Sequence, residues 1–354
     1  MLGRAYDDVK PDLVLFTGDN ILGNHLLDAR FGSRQVAHGY DATRQRMEKA
    51  LGHILKPLEE RKIPFGMIYG NHDDMNCLTK QEQIEIYKKY EMCLPLNAED
   101  SQRDVDTYNI PIYSSDGNRL LFNLWMLDTA WQDKKENKCY TQIKPQAVKW
   151  FEEKSEELKK ESQNESLPSI LFMHIPLPQQ MALCKQCDEN TAGAMRGPGG
   201  KYYVPDETKF EGTMGEIPSV CTDDAGLFET IKENGSVLAV VAGHDHRNCF
   251  DATVDGVRFI QTSCASFRCY GNKLRGVRLF ILDENEPNKF ETKMLTYEQI
   301  MKADFKSISG IKAKVRYLLD ADELEKKKLA LMGAAGAIAA ATIAVKAVKN
   351  YEKK

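Results

Sequence analysis

The chain has 354 residues, of which 42% are hydrophobic and 28% charged, and a formal net charge of -4. That length is enough for one large α/β domain or two modest ones without a disulfide framework. The slightly acidic balance gives no reason to expect nucleic-acid affinity through a basic face, and the odd count of nine cysteines leaves the redox compartment open.

Residues 5–10 read as the tail of a helix, and Pro11-Asp12 introduces an apolar run, 13–16, that empties into Thr17-Gly18-Asp19. Residues 20–41, rich in Gly, Asn and Asp and containing His25 and His38, are expected to wall the substrate side of a site. Met47, Leu51, Ile54, Leu55 and Leu58 recur at helical spacing over 43–60, as in a crossover helix between parallel strands. A second apolar run, 63–69, ends in Gly70-Asn71-His72-Asp73, and a weaker helix follows over 79–90. Segments 105–113 and 120–127 flank the turn signal Ser115-Asp116-Gly117-Asn118 and predict an antiparallel pair. Helix returns over 145–163, and a third apolar run, 167–173, ends in His174.

After His174, Pro176 and Pro178 force an extended path. From there to Pro218 the sequence carries little periodicity, a length that points either to a lid over substrate reached by Arg196, Tyr202 and Tyr203 or, equally, to an insertion with no role in recognition. Within it Cys184-x-x-Cys187 lacks the second pair that a four-thiolate zinc site needs. A short helix over 223–234 feeds a fourth run, 237–242, which climbs into Gly243-His244-Asp245-His246. Alternation along an extended backbone lets the two imidazoles approach one place. Strands of a second layer are expected over 257–262, 277–282 and 290–295.

Four strand-like runs thus end in Asp19, Asn71, His174 and the His244–His246 pair. In an open parallel sheet the ligand crevice lies at the carboxyl ends of the strands, so these residues are expected at one edge.

The blocks Gly18-Asp19, Gly70 to Asp73, His174 and Gly243 to His246 resemble four of the five motifs of calcineurin-like metallophosphoesterases, over about residues 10 to 297. The phrases PDLVLFTGDN and GHDHRN are most similar to a subgroup allied to purple acid phosphatases. The tyrosine those phosphatases carry three residues after the motif aspartate is Leu22 here, so no ferric tyrosinate is expected. The fifth motif, Asp-x-His on a preceding strand, is not found. The resemblance implies an α/β fold, a two-layer β-sandwich flanked by helices in four α/β/β/α layers, here lacking its first strand.

The same resemblance implies that Asp19, Asn71, His174 and His244 hold one metal, with Asp19 bridging to a second served by His246. It places His72 toward substrate as a general acid, with Asp73 orienting it. Mixed nitrogen and oxygen ligands admit Mn, Fe, Zn or Co. The family site holds two such ions, whereas one is expected here because the second keeps only two protein ligands. The implied function is hydrolysis of a phosphate-ester substrate, as phosphatase or phosphodiesterase, by attack of a metal-held hydroxide. The alternative is an inactive or fragmentary relative that binds one metal and phosphorylated ligands without turnover.

The domain is expected over 1–300, truncated at its N-terminus, with an amphipathic and charged linker helix over 301–328. The uncharged run 329–345 lies in an Ala-rich segment, 329–348, and is followed by lysines. As a helix the run spans about 26 Å, against roughly 30 Å of bilayer hydrocarbon. It is read as a C-terminal transmembrane anchor, which would place the protein at a membrane of undetermined side; the alternative is an Ala-rich helix that packs on the domain or on another chain, with the protein in the cytoplasm.

Overall fold

In a computed structural model the described residues are 1–21, 40–74, 76, 78–95, 106–129, 143–164, 166–266 and 269–302. The loop readings at His25 and His38 and the segments from 303 onward lie outside them. Helix α1 (Leu2–Val9) leads to strand β1 (Val14–Thr17), and helix α2 (Tyr40–Glu59) crosses to β2 (Phe65–Ile68). Buried Met47, Leu51, Leu55 and Leu58 fall on one face of α2, as the helical spacing predicts. A short turn of helix, α3 (Asn71–Asp74), follows, and then α4 (Lys80–Tyr87), which starts at a capping box between Thr79 and Glu82. The expected antiparallel pair is β3 (Tyr108–Tyr113) with β4 (Leu120–Leu127). Helix α5 (Pro145–Ser162) has proline in its first turn and ends at Gln163 in the left-handed conformation. It leads to β5 (Ser169–Met173).

The stretch expected to be an irregular lid is instead ordered into short strands. A 3-10 turn at Pro178–Leu183 precedes β6 (Cys184–Cys187), β7 (Met195–Arg196) and β8 (Tyr202–Pro205), which form a sheet in the order β6-β8-β7. Strands this short never build the apolar alternation that announces a strand in sequence. Three residues apart on β6, Cys184 and Cys187 project to opposite faces and both are free thiols.

The chain continues through β9 (Phe210–Thr213), α6 (Leu227–Asn234), β10 (Val237–Ala242), β11 (Cys249–Val254), β12 (Val257–Gln261), β13 (Gly276–Leu282), β14 (Phe290–Thr296) and α7 (Tyr297–Met301). Seven strands form a mixed sheet in the order β3-β4-β5-β10-β12-β11-β9, while β1 and β2 pair in parallel and β13 and β14 form an antiparallel hairpin.

Alternation on the strands builds the layers. On β5, Ile170 and Phe172 enter one cluster while Leu171 and Met173 enter another; on β10, Ala239 and Val241 divide from Val240 and Ala242 in the same way. The inner cluster also takes Ile68 of β2 and, at its margin, Leu15 of β1 and Phe280 of β13, so it lies between sheets. The outer clusters receive α5 and α6 on one side, and α2 and α4 on the other. Four layers of helix, sheet, sheet and helix result, a mixed α/β fold. Each fully buried aliphatic or aromatic side chain stabilises it by about 1.5–3 kcal/mol.

The membrane reading is corrected. Among the described residues no helix is long and apolar enough to cross a membrane. The longest, α2, carries Arg44, Arg46, Glu48, Lys49 and Lys56 along its length. The run 329–345, which falls short of the hydrocarbon thickness even as an ideal helix, lies outside the described residues. Neither a membrane partner nor a membrane location is assigned.

Candidate metal centre

Strands β1, β2, β5 and β10 all end at one place, but as two parallel pairs in different sheets rather than as neighbours in one: β1 with β2, and β5 with β10. The pairs meet closely, since a Cβ on Gly243 would lie 2.9 Å from the Thr17 carbonyl oxygen. Gly18, at φ 91°, lets the His174 imidazole pass where a Cβ would sit 2.4 Å from Nδ1. Asp19 (φ 53°) and His244 (φ 68°) adopt the left-handed region without being glycine. Such residues cost of order 1–3 kcal/mol and cluster at functional sites; here the turn aims both side chains inward.

His174 Nδ1 lies 2.7 Å from the Thr17 carbonyl oxygen. A carbonyl only accepts, so Nδ1 carries a hydrogen and Nε2 offers its lone pair in the neutral ring. That Nε2 lies 3.1 Å from Asn71 Oδ1, 3.4 Å from Asp19 Oδ1 and 3.3 Å from His244 Nδ1. The ligand atoms of Asp19, His174 and His244 lie within 4.8 Å of one another. Lone pairs converging in a buried space repel unless a positive charge sits among them.

The electrostatics agree. Burial works against ionisation of Asp19, yet His174, with His72 and His244 beyond it, holds its carboxyl well below the usual range. Burial likewise works against a charged His174, but the Asp19 carboxylate raises its pKa. Burial and the neighbouring His174 push His244 far down, so it stays neutral. The cluster therefore draws one positive charge, and its imidazole and carboxylate donors suit a divalent transition-metal cation.

Residues 1–248 match the calcineurin-like phosphoesterase family. The chain belongs to that family. Among relatives of this calcineurin-like phosphoesterase, "Probable inactive purple acid phosphatase 29" of Arabidopsis thaliana is 26% identical over 305 residues, covering 81% of this chain and 68% of the relative. "Probable inactive purple acid phosphatase 14" of the same plant is 28% identical, covering 76% and 62%. "Phosphatase DCR2" of Saccharomyces cerevisiae is 25% identical, covering 86% and 49%. The chain thus spans between about half and about two thirds of the length of these relatives. A solved dimetal phosphatase from Danio rerio has a TM-score of 0.42 at 14% identity, covering 74% of this chain and 76% of its own. Within the family the chain is similar to these proteins named as purple acid phosphatases.

The other motif residues take distinct places. The His72 side chain approaches Asp19, with Nε2 4.0 Å from Oδ2, and its Nδ1 is buried without a hydrogen-bond partner among the described residues. Asp73 is fully buried, and its oxygens accept from the backbone N–H groups of Gly70 at 2.8 Å, Asn20 at 3.1 Å and Ile21 at 3.1 Å. It thereby ties the Asp19 loop to the Asn71 loop; burial and the neighbouring Asp19 raise it to about 7 against those three donors. His246 is not one of the three residues of the first cluster; it is stacked on Tyr270 at 4.2 Å and grouped with Cys264 and Cys269. A hydrogen bond from Cys264, and then His246 and Arg275 nearby, hold the Cys269 thiol down to about 4 despite burial.

Several positioning residues carried no sequence signal. Thr129 Oγ1 accepts from the backbone N–H of His174 at 3.2 Å and of Ile175 at 2.8 Å, fixing the loop after β5. Gln261 Nε2 donates to the Gly243 carbonyl. Within Gly243 to Asn248, Asp245 accepts from the Ser219 backbone at 3.2 Å, and Asn248 Oδ1 accepts from Gly215 at 2.9 Å and Glu216 at 3.1 Å. A polar residue that clamps a neighbouring loop looks, in sequence, the same as one that binds a ligand.

Proposed function

We propose that this phosphoesterase-family chain holds a divalent cation through Asp19, Asn71, His174 and His244, and binds the phosphoryl group of a phosphorylated ligand beside it without sustaining turnover. The convergence of His174 Nε2, Asn71 Oδ1, Asp19 Oδ1 and His244 Nδ1 carries this reading. When bound, the cation would supply positive charge that attracts and neutralises phosphoryl oxygens. Two Arabidopsis relatives named as probable inactive enzymes support binding over turnover.

The chain's own residues do the rest. Thr17 fixes the His174 tautomer through its carbonyl, and the strained backbone at Asp19 and His244 keeps their lone pairs turned inward. His72, whose Nε2 lies 4.0 Å from Asp19 Oδ2, would donate a hydrogen bond to an ester oxygen of the ligand. Asp73 acts as a positioning residue through the loops it ties.

A second reading is hydrolysis, with His72 protonating the leaving oxygen; the relative named as a phosphatase favours it. Calorimetric titration with Mn2+, then with inorganic phosphate in its presence and absence, tests the first reading. Metal-dependent phosphate binding with no hydrolysis of an activated aryl phosphate is expected. Sustained metal-dependent turnover would establish the second reading instead, and absence of metal binding would overturn both.

A further inference from the structure

We propose that His246, Cys264 and Cys269 form a separate cation site of mixed imidazole and thiolate character, suited to a thiophilic divalent ion of the zinc class. Their ligand atoms lie within 4.8 Å of one another, and all three line the cavity that also holds Asp19 and His244. A tetrahedral zinc with two sulfurs and one nitrogen sets those atoms about 3.5–3.8 Å apart, from its bond lengths of about 2.3 and 2.0 Å. A contraction of about an ångström brings the trio there, and three protein ligands leave one vertex open toward the cavity.

The surroundings prepare each donor. His246 Nδ1 lies 3.1 Å from the Tyr270 carbonyl oxygen, which can only accept, so the hydrogen sits on Nδ1 and Nε2 is left to bind. The ring is held flat against Tyr270. Buried Arg275 points Nη1 at Cys264 Sγ, 3.0 Å away, and at Cys269 Sγ, 3.6 Å away, and donates through Nη2 to the Cys269 carbonyl at 2.9 Å. The guanidinium and the hydrogen bond from Cys264 favour a thiolate at Cys269, while that same hydrogen bond and burial raise Cys264 well above its usual value, so its proton leaves as the ion binds. Gly271 keeps the loop tight, since a Cβ there would sit 2.8 Å from Cys264 Sγ.

Both thiols are free in the structure. Two thiolates and a neutral imidazole balance a divalent charge, and the soft sulfur donors distinguish this site from the oxygen and nitrogen donors around Asp19. The assignment holds whether or not the chain hydrolyses a phosphate ester.

The test is cobalt titration of the reduced, chelator-stripped full chain. A near-ultraviolet sulfur-to-cobalt charge-transfer band is expected, displaced by Zn2+. It should be lost in the C264S/C269S double variant and retained in D19N. Because the double variant could fail to fold, the wild type is also alkylated with and without Zn2+, and the modified cysteines are mapped by mass spectrometry. At zinc 100-fold above the dissociation constant, modification of Cys264 and Cys269 should slow about 100-fold, following the free fraction. No charge-transfer band in the reduced wild type, or unchanged alkylation of both cysteines, would overturn the assignment. So would a native Cys264–Cys269 disulfide that yields no cobalt site once reduced.

Discussion

Gly70 lies so close to Asp19 that an added Cβ would sit 2.1 Å from Oδ1 and 2.3 Å from the backbone nitrogen. The glycine that opens the Asn71-His72-Asp73 block is therefore required by the approach of two loops, since its own φ is not in the left-handed region. Gly70→Ala should fold but displace the Asp19 carboxylate, lowering Mn2+ affinity about 10- to 100-fold. Calorimetric titration measures this, and wild-type affinity in the variant would remove Asp19 from the ligand set.

Asp73 satisfies three backbone N–H groups, those of Gly70, Asn20 and Ile21. Asp73→Ala leaves them without that acceptor, at about 1–3 kcal/mol for each that stays buried and unpaired. We expect a total loss of about 3–5 kcal/mol by urea denaturation. Asp73→Asn should lose less, because one carbonyl oxygen can still accept. Equal stability of wild type and Asp73→Ala would mean that the loops do not depend on this tie.

Cation binding should register as stability. At 100-fold excess over the dissociation constant, an ion that binds only the folded state adds about 2.7 kcal/mol. For a domain of this size that raises Tm by about 4 °C. Scanning calorimetry with Mn2+, and again after chelation, should show the gain and its reversal. The gain should vanish in His174→Ala, and a shift that survives there would place the ion elsewhere.

Phe151 provides a control remote from the ligands. Fully buried on α5, it packs edge-on to Trp125 at 4.7 Å, in the helix layer outside the large sheet. Phe151→Ala should cost about 3–5 kcal/mol in denaturation experiments while leaving Mn2+ affinity unchanged.

Strands β5 and β10 were legible because they are buried along most of their length. Residues 169–173 and 237–242 read as near-continuous apolar runs, and each run's abrupt end in a polar residue announced the site. Helix α2 was legible from one apolar stripe. The division of the four strands between two sheets was not legible, because pairing is set by partners far along the chain. Strand β11, whose residues mix Cys249, Asp251 and Thr253 with Phe250, Ala252 and Val254, offered no apolar run to notice. Cys264 and Cys269 lie well beyond His246 in the chain, and the buried Arg275 that gathers their loop leaves no spacing pattern to read.

Asp19 and Asn71 belong to the loops that leave the two-stranded β1–β2 sheet, whereas His174 and His244 leave the seven-stranded one. A cation held by all four would rivet one half of the sandwich to the other. Parting of the two halves and escape of the ion then become a single event, and amide exchange along β1 and β2 should slow on metal addition more than exchange along β11. The smaller sheet, with few hydrogen-bonded neighbours of its own, would owe its place in the molecule partly to the ion it helps to bind.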